Sequence, residues 1–118
     1  MIQINNQFSD IVETGSNANG RYIKYKDGTL IQQGVVKLPA NATKYTLEFP
    51  AYFATRDYSI SIIWWYQWYR IMETTYSTQI NGSIDIFPSY WDSSSDKWIY
   101  TTDKEPTFHW TAIGRWKS

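Results

Sequence analysis

Over residues 58–70 the chain alternates in a way that only an extended strand can use. Tyr58, Ile60, Ile62, Trp64, Tyr66 and Trp68 fall on one face, and Ser59, Ser61, Ile63, Trp65, Gln67 and Tyr69 on the other. A period of two sends successive side chains to opposite sides of a pleated strand, whereas a helix would scatter both sets around its circumference. The first half sets large residues against small ones, the pattern of a half-buried strand. Beyond Ile63 both faces turn apolar. That end is buried on both sides, lies between subunits, or presents aromatics to a ligand.

The same period recurs at the C-terminus. Phe108, Trp110, Ala112, Gly114 and Trp116 share one face, and His109, Thr111, Ile113 and Arg115 the other. Between residues 21–26 and 29–36 stands Asp27-Gly28, which favours a type I′ turn because both central positions need positive φ. That register predicts Tyr25 opposite Leu30 and Ile23 opposite Gln32, with Lys24 and Lys26 on the other face. Asn81-Gly82 predicts a second hairpin between residues 73–80 and 83–87. Residues 45–49 read as a short strand closed by Pro50 and residues 97–101 as another, with 38–43 and 88–96 as loops. No helical period runs past about two turns. The expectation is an all-β fold, a small antiparallel β-sandwich of about six to eight strands. Residues 1–19 read as a lead-in or linker from something upstream, with loop composition over 14–20, and residues 20–118 as the sandwich.

Composition narrows the partners. The 118 residues suffice for one domain and carry no cysteine, which removes disulfides and thiolate metal sites. Net charge is zero and the lysines and arginines are scattered, so no basic stripe points to nucleic acid. No apolar stretch reaches the ~18 residues of a membrane span, and residues 1–6 lack the basic start of a signal peptide. The 7 Trp, 10 Tyr and 5 Phe coexist with a mean hydropathy of -0.50. One subunit of this size cannot hide all of them deeply, so some lie at a surface or between subunits.

The segment Gly20-Arg21-Tyr22-Ile23-Lys24-Tyr25-Lys26-Asp27-Gly28-Thr29-Leu30-Ile31-Gln32-Gln33-Gly34 resembles the opening hairpin of C-terminal domains of bacteriophage and prophage tail fibres. Phe49-Pro50-Ala51-Tyr52-Phe53 resembles their Phe-Pro segment, residues 58–62 their central strand, and Trp110-Thr111-Ala112-Ile113-Gly114-Arg115-Trp116 their terminal Ala-Ile-Gly-Arg strand. Order and spacing agree over roughly residues 14–116. The chain departs from the pattern at Gln32-Gln33-Gly34, where many relatives carry an aromatic or Cys before the Gly, and in the aromatic richness of residues 64–69. The resemblance implies an H-type-lectin-like sandwich that forms a homotrimer at the distal end of a virion tail fibre. It also implies recognition of a host-surface receptor, a glycan or a protein, without catalysis. A structural cap on the fibre trimer and a polysaccharide depolymerase are the alternatives.

The first candidate for ligand contact is Ser89-Tyr90-Trp91-Asp92-Ser93-Ser94-Ser95-Asp96-Lys97-Trp98. Tyr90, Trp91 and Trp98 can stack on the C–H faces of sugar rings, while Asp92 and Asp96 can accept hydrogen bonds from sugar hydroxyls. Its plain alternative is a solvated loop whose Asp and Ser favour turns. Trp65 and Tyr69 are further candidates, against a place in the core or a subunit interface. Asp85, Asp92, Asp96 and Asp103 show no calcium-loop spacing, and His109 is the one histidine, so no metal site or cofactor is expected. In a trimer, His109 could meet its two copies near the three-fold axis. Glycan cleavage would need two carboxylates facing each other, about 5–5.5 or 6.5–9.5 Å apart. The acids here fall mostly in turns and strand ends.

Overall fold

The computed structural model describes residues 10–65, 72–77, 81–100 and 105–117. Among the described residues there are nine strands and no helix: β1 (Ile11–Asn17), β2 (Gly20–Tyr25), β3 (Thr29–Lys37), β4 (Tyr45–Glu48), β5 (Ser59–Trp65), β6 (Met72–Ser77), β7 (Ser83–Asp92), β8 (Lys97–Ile99) and β9 (Thr107–Arg115). All pairings are antiparallel. One sheet has the order β1-β2-β3-β9-β5. The other runs β4-β7-β6, with β8 on β7 as well. Along one edge of the long β7, β4 covers residues 83–86 and β8 covers residues 90–92. Pro88 falls in the gap between them, where a strand tolerates a residue without an N–H.

The strand count exceeds the expected six to eight because of the chain's start. Residues 14–17, whose composition reads as loop, belong to β1, which pairs with β2 through Asn17 opposite Gly20. Asn17 makes this tight turn itself, its Oδ1 accepting from the Asn19 N–H at 2.8 Å. Glu13 ties the pair together. Its carboxylate accepts from the Tyr22 hydroxyl at 2.6 Å and lies 3.3 Å from Lys24 Nζ.

The β2–β3 hairpin forms at Asp27-Gly28, but its register is one residue away from the expected one. Lys24 pairs with Leu30, Ile23 with Ile31 and Tyr22 with Gln32. The loop has three residues rather than two. The Gly28 N–H donates to the Tyr25 carbonyl at 3.0 Å, and Gly28 then takes a φ of 100°. This is a turn followed by a left-handed residue, the second commonest hairpin closure. Asp27 Oδ1 accepts from the Thr29 N–H at 2.8 Å, the Trp116 N–H donates to the Gly28 carbonyl at 2.9 Å, and Arg115 Nη2 donates to the Asp27 carbonyl at 2.7 Å. A slip of one residue exchanges faces along a whole strand. Lys24 therefore lies on the same face as Leu30, its ammonium 5.6 Å from the ring centroids of both Tyr22 and Trp116.

The core forms where the sheets face each other. Leu30, Phe108, Trp110 and Ala112 come from the first sheet, and Leu47, Ile84 and Ile86 from the second. All are essentially inaccessible to solvent. Fully burying one such side chain contributes about 1.5–3 kcal/mol. The faces of β5 and β9 follow the alternation in the sequence: Ile60, Ile62 and Trp64 turn toward the core, while Ile63, Trp65, His109 and Ile113 turn away. Phe49, Phe53 and Tyr58 close one end, Phe53 and Tyr58 stacked at 4.4 Å and Phe49 edge-on to both.

Tyr58 donates its hydroxyl to the Ser83 carbonyl at 3.1 Å, and burial pushes its pKa from 10.0 up to about 12. A group held protonated in the folded state favours folding at every pH below its unfolded pKa. That contribution is lost as pH rises through the window up to the folded pKa. The urea midpoint is therefore expected to fall between about pH 10 and pH 12, and to fall less steeply in Tyr58→Phe, which has no phenol to ionise at that position.

Candidate functional site

Residues 88–96, read from the sequence as a loop, are strand as far as Asp92. β7 and β8 form a hairpin in which Tyr90 pairs with Ile99, Trp91 with Trp98 and Asp92 with Lys97. Only residues 93–96 turn, with Asp96 at a φ of 56°. The Asp92 carboxylate shapes this turn. Oδ1 accepts from the Ser94 N–H at 3.2 Å and the Ser94 hydroxyl at 2.8 Å, and Oδ2 accepts from the Ser95 hydroxyl at 2.7 Å. The serines and aspartates that look like a solvated loop are thus the chemistry of a tight reversal.

The hairpin sorts the candidates. Tyr90, on the face shared with Ile84 and Ile86, is 9% exposed and offers no open ring. Asp92 is engaged by the turn. Trp91 and Trp98, a cross-strand pair, meet edge-to-face at 5.6 Å and 73° on the opposite side, both half-buried. Asp96 is exposed at the tip. An edge-to-face pair of this kind holds two indoles in a defined geometry beyond what area burial supplies.

Trp65 lies elsewhere. It sits at the end of β5, on the outer face of the other sheet, 75% exposed. Tyr69 lies outside the described residues. Trp65 belongs to a separate apolar area: Ile63, 69% exposed, is in register with His109, which is in register with Val35, 60% exposed. His109 is exposed on this face between the two aliphatic residues. Among the described residues, no three His, Asp or Glu gather into a cluster able to hold a metal ion. Asp85 accepts from the Thr46 hydroxyl across the β4–β7 pair at 2.7 Å, and Asp103 lies outside the described residues.

A cleft that the motifs did not single out lies at the other end of β7. Its volume is about 660 Å³, and its lining includes Asn19, Glu48, Tyr52, Arg56, Asn81 and Gly82. Tyr52 is 76% exposed. The segment carrying it, residues 49–57, has no regular secondary structure but is firmly held. The Phe49 and Phe53 N–H groups donate to Gly82 and Asn81 carbonyls, both at 2.9 Å, and the Ala54 N–H to the Arg115 carbonyl at 2.7 Å. Inside, the Gln32 carboxamide acts as a peptide group, donating to the Ala51 carbonyl and accepting from the Ala51 N–H, both at 2.8 Å. The sequence signals near this cleft were the Phe49-Pro50-Ala51-Tyr52-Phe53 segment, which carries a resemblance, and Asn81-Gly82, which reads as a turn; neither marks a site.

No family model matches the chain, and no curated protein matches it. Among solved structures it is similar to a C-terminal fragment of the P. aeruginosa R2 pyocin fibre, with a TM-score of 0.59 and 16% identity over 94% of this chain and 28% of that one. It is similar to the same degree to the selenomethionine form of an N-truncated R2-type pyocin tail fibre, with a TM-score of 0.59 and 16% identity over 94% of this chain and 41% of that one. The chain spans less than half the length of either fibre fragment. At this identity the likeness is one of fold: nearly the whole chain superposes on a part of each pyocin fibre.

Proposed function

We propose that the chain is the receptor-binding portion of a bacteriophage tail fibre, that it works on the virion as a homotrimer, and that it binds a host-surface glycan without cleaving it. The observation that carries this reading is the fold likeness to pyocin fibres, which takes in 94% of this chain but only a part of each fibre. A tail-fibre domain of this size, with the motif order of fibre C-terminal domains, is the economical account of both. The exposed apolar side chains Trp65, Ile63 and Val35 on the outer face of β5, β9 and β3, with His109 between the last two, support burial against other subunits. The Trp91–Trp98 pair on a narrow hairpin supports stacking on sugar rings. Three weak sites on one trimer raise effective affinity through avidity, with no new contact needed.

The test is binding of the labelled protein to host cells and to a glycan array, with mass measured in solution. The double variant Trp91→Ala/Trp98→Ala is expected to bind about tenfold or more weakly, at unchanged trimer mass. Trp65→Ser with Ile63→Ser is expected to lower the mass toward a monomer. Loss of the trimer in the hairpin variant would favour a capping role instead, and release of reducing sugar from host polysaccharide would favour a depolymerase.

A further inference from the structure

We infer that the cleft beside Tyr52 is a saccharide-binding site for a neutral hexopyranose. It would be distinct from the Trp91–Trp98 hairpin, from which about 30 Å of β7 separates it at the usual rise per residue. The inference rests on the glycan reading above and deepens it by naming the ring and the groups that would hold it.

Tyr52 is the aromatic wall of the cleft. An exposed aromatic side chain is ordinarily free to move, but this ring lies against the backbone of Gly82: a Cβ built there would stand 2.8 Å from Tyr52 Cε1 and 2.9 Å from Cζ. Gly82 thus serves as a seat, and any side chain at that position would push the phenol away. The strand of chain beneath Tyr52 is fixed on both sides. The Ala51 peptide is clamped by Gln32, and Phe49 and Phe53 are bonded to the backbone of residues 82 and 81. An aromatic plane presented to solvent from a backbone that cannot shift is preorganised, so binding loses little freedom there.

The rim supplies the other half of the recognition. Glu48 projects from the exposed face of β4, in register with Ser83 of β7, and its carboxylate can accept from two neighbouring hydroxyls. Asn19, from the β1–β2 turn of the opposite sheet, and Asn81 add amide groups. Asn81 is itself oriented by its Nδ2 donating to the Ala54 carbonyl at 3.2 Å. Arg56 completes the lining with a positive charge that offsets Glu48. An apolar face next to a mixed donor and acceptor rim matches a pyranose, with its C–H side and its ring of hydroxyls. A phosphorylated or sulfated ligand would need an excess of positive charge, which the lining lacks. The volume of about 660 Å³ lies within the range of roughly 300–1,000 Å³ usual for small-molecule sites.

The experiment uses the whole chain and a set of methyl hexopyranosides (gluco, galacto, manno and the two 2-acetamido sugars), followed by amide chemical shifts. At least one glycoside is expected to shift residues 48, 52, 81 and 82. Tyr52→Phe should keep the affinity within about twofold, and Tyr52→Ala should weaken it about tenfold or more. Gly82→Ala should weaken it with the same sugar preference, since it displaces the ring and not the rim. Shifts confined to the Trp91–Trp98 hairpin, or an undiminished response in Tyr52→Ala, would overturn the cleft while leaving the glycan reading intact. No response to any glycoside in a protein that still binds host cells would overturn the cleft and leave a protein receptor for the proposed function. Unchanged thermal unfolding of Tyr52→Ala, an exposed side chain, excludes misfolding as the cause.

Discussion

Trp110→Ala is expected to lower the unfolding free energy by about 3–5 kcal/mol, read as a shift of the urea midpoint at unchanged slope. Domains of this kind have total stabilities of roughly 5–15 kcal/mol, so the variant would be marginal or unfolded at physiological temperature. Trp110 is the largest fully buried side chain among the described residues, in the middle of β9, the strand that holds β3 and β5 together. Its indole packs on Phe49 at 5.6 Å and lies over Gly20 and Gly34, where Cβ atoms would come within 3.2 Å of Cζ2 and 2.7 Å of Nε1. The cavity left by alanine would therefore be floored by backbone that cannot collapse into it. Trp110→Phe should cost much less, because Nε1 is buried without a hydrogen-bond partner among the described residues and phenylalanine removes that polar group. The two sites should also be coupled. Gly34→Ala alone is expected to cost about 1–3 kcal/mol through its clash with the indole. In the Trp110→Ala background the part due to the indole should vanish while the 3.0 Å approach to the Asn19 carbonyl remains, a non-additivity that a double-mutant cycle measures directly. Full additivity would show that the glycine is not there to seat the indole.

The second large effect is expected at Gln32. Gln32→Leu keeps the volume but strips both partners from the Ala51 peptide, leaving one N–H and one carbonyl unpaired beside the core. The penalty is about 1–3 kcal/mol per fully buried unsatisfied group; Ala51 is half-buried and water can partly replace the lost partners, so a total loss of roughly 1–3 kcal/mol is expected. For a domain of this size that is on the order of 10 °C in melting temperature. Gln32→Glu separates hydrogen bonding from packing. A carboxylate still accepts from the Ala51 N–H but turns a second oxygen toward the Ala51 carbonyl, whereas a protonated carboxyl can donate to it. Burial and that carbonyl both raise the pKa of the new acid, so the variant should regain stability as pH falls and lose it as pH rises through the raised pKa. Wild-type protein should show no such acid-side recovery. Because Gln32 holds residues 49–57, both variants should also disturb the Tyr52 cleft, and Gln32→Leu the more so.

Gln32 marks the limit of what local sequence specifies. Its place in the alternation of β3 marks it for the inner face, yet nothing nearby in sequence says what a buried amide would bond. The partner is Ala51, in an irregular segment that only the packed sandwich brings beneath β3. The β2–β3 hairpin was legible as a hairpin and misplaced by one residue. A two-residue turn at Asp27-Gly28 is locally reasonable, but the loop lengthens because Arg115 and Trp116, from the far end of the chain, bond its carbonyls. Residues 88–96 misled through composition. Pro88, four serines and two aspartates look like a loop, and the better signal was the placement of Trp91 and Trp98 at matching distances from the turn. A cross-strand aromatic pair is itself a strand signal.

Facing is a local property. A residue two places from a core residue on a strand returns to the core side wherever that strand ends up, so the inward faces of β5 and β9 were readable from Tyr58, Ile60, Ile62, Phe108 and Trp110 alone. The reversal at Gly28, whose φ is 100°, was readable for the same reason, since backbone sterics act within a few residues, whereas Gly82 has no positive φ and the Asn81-Gly82 turn continues into residues outside those described. Neighbourhood is not local. That β9 lies between β3 and β5, that β4 and β8 share one edge of β7, and that Tyr52 lies on Gly82 beside Glu48 depend on which surfaces bury each other best across the whole chain. Those choices are made by packing between segments far apart in sequence, where no periodicity reaches.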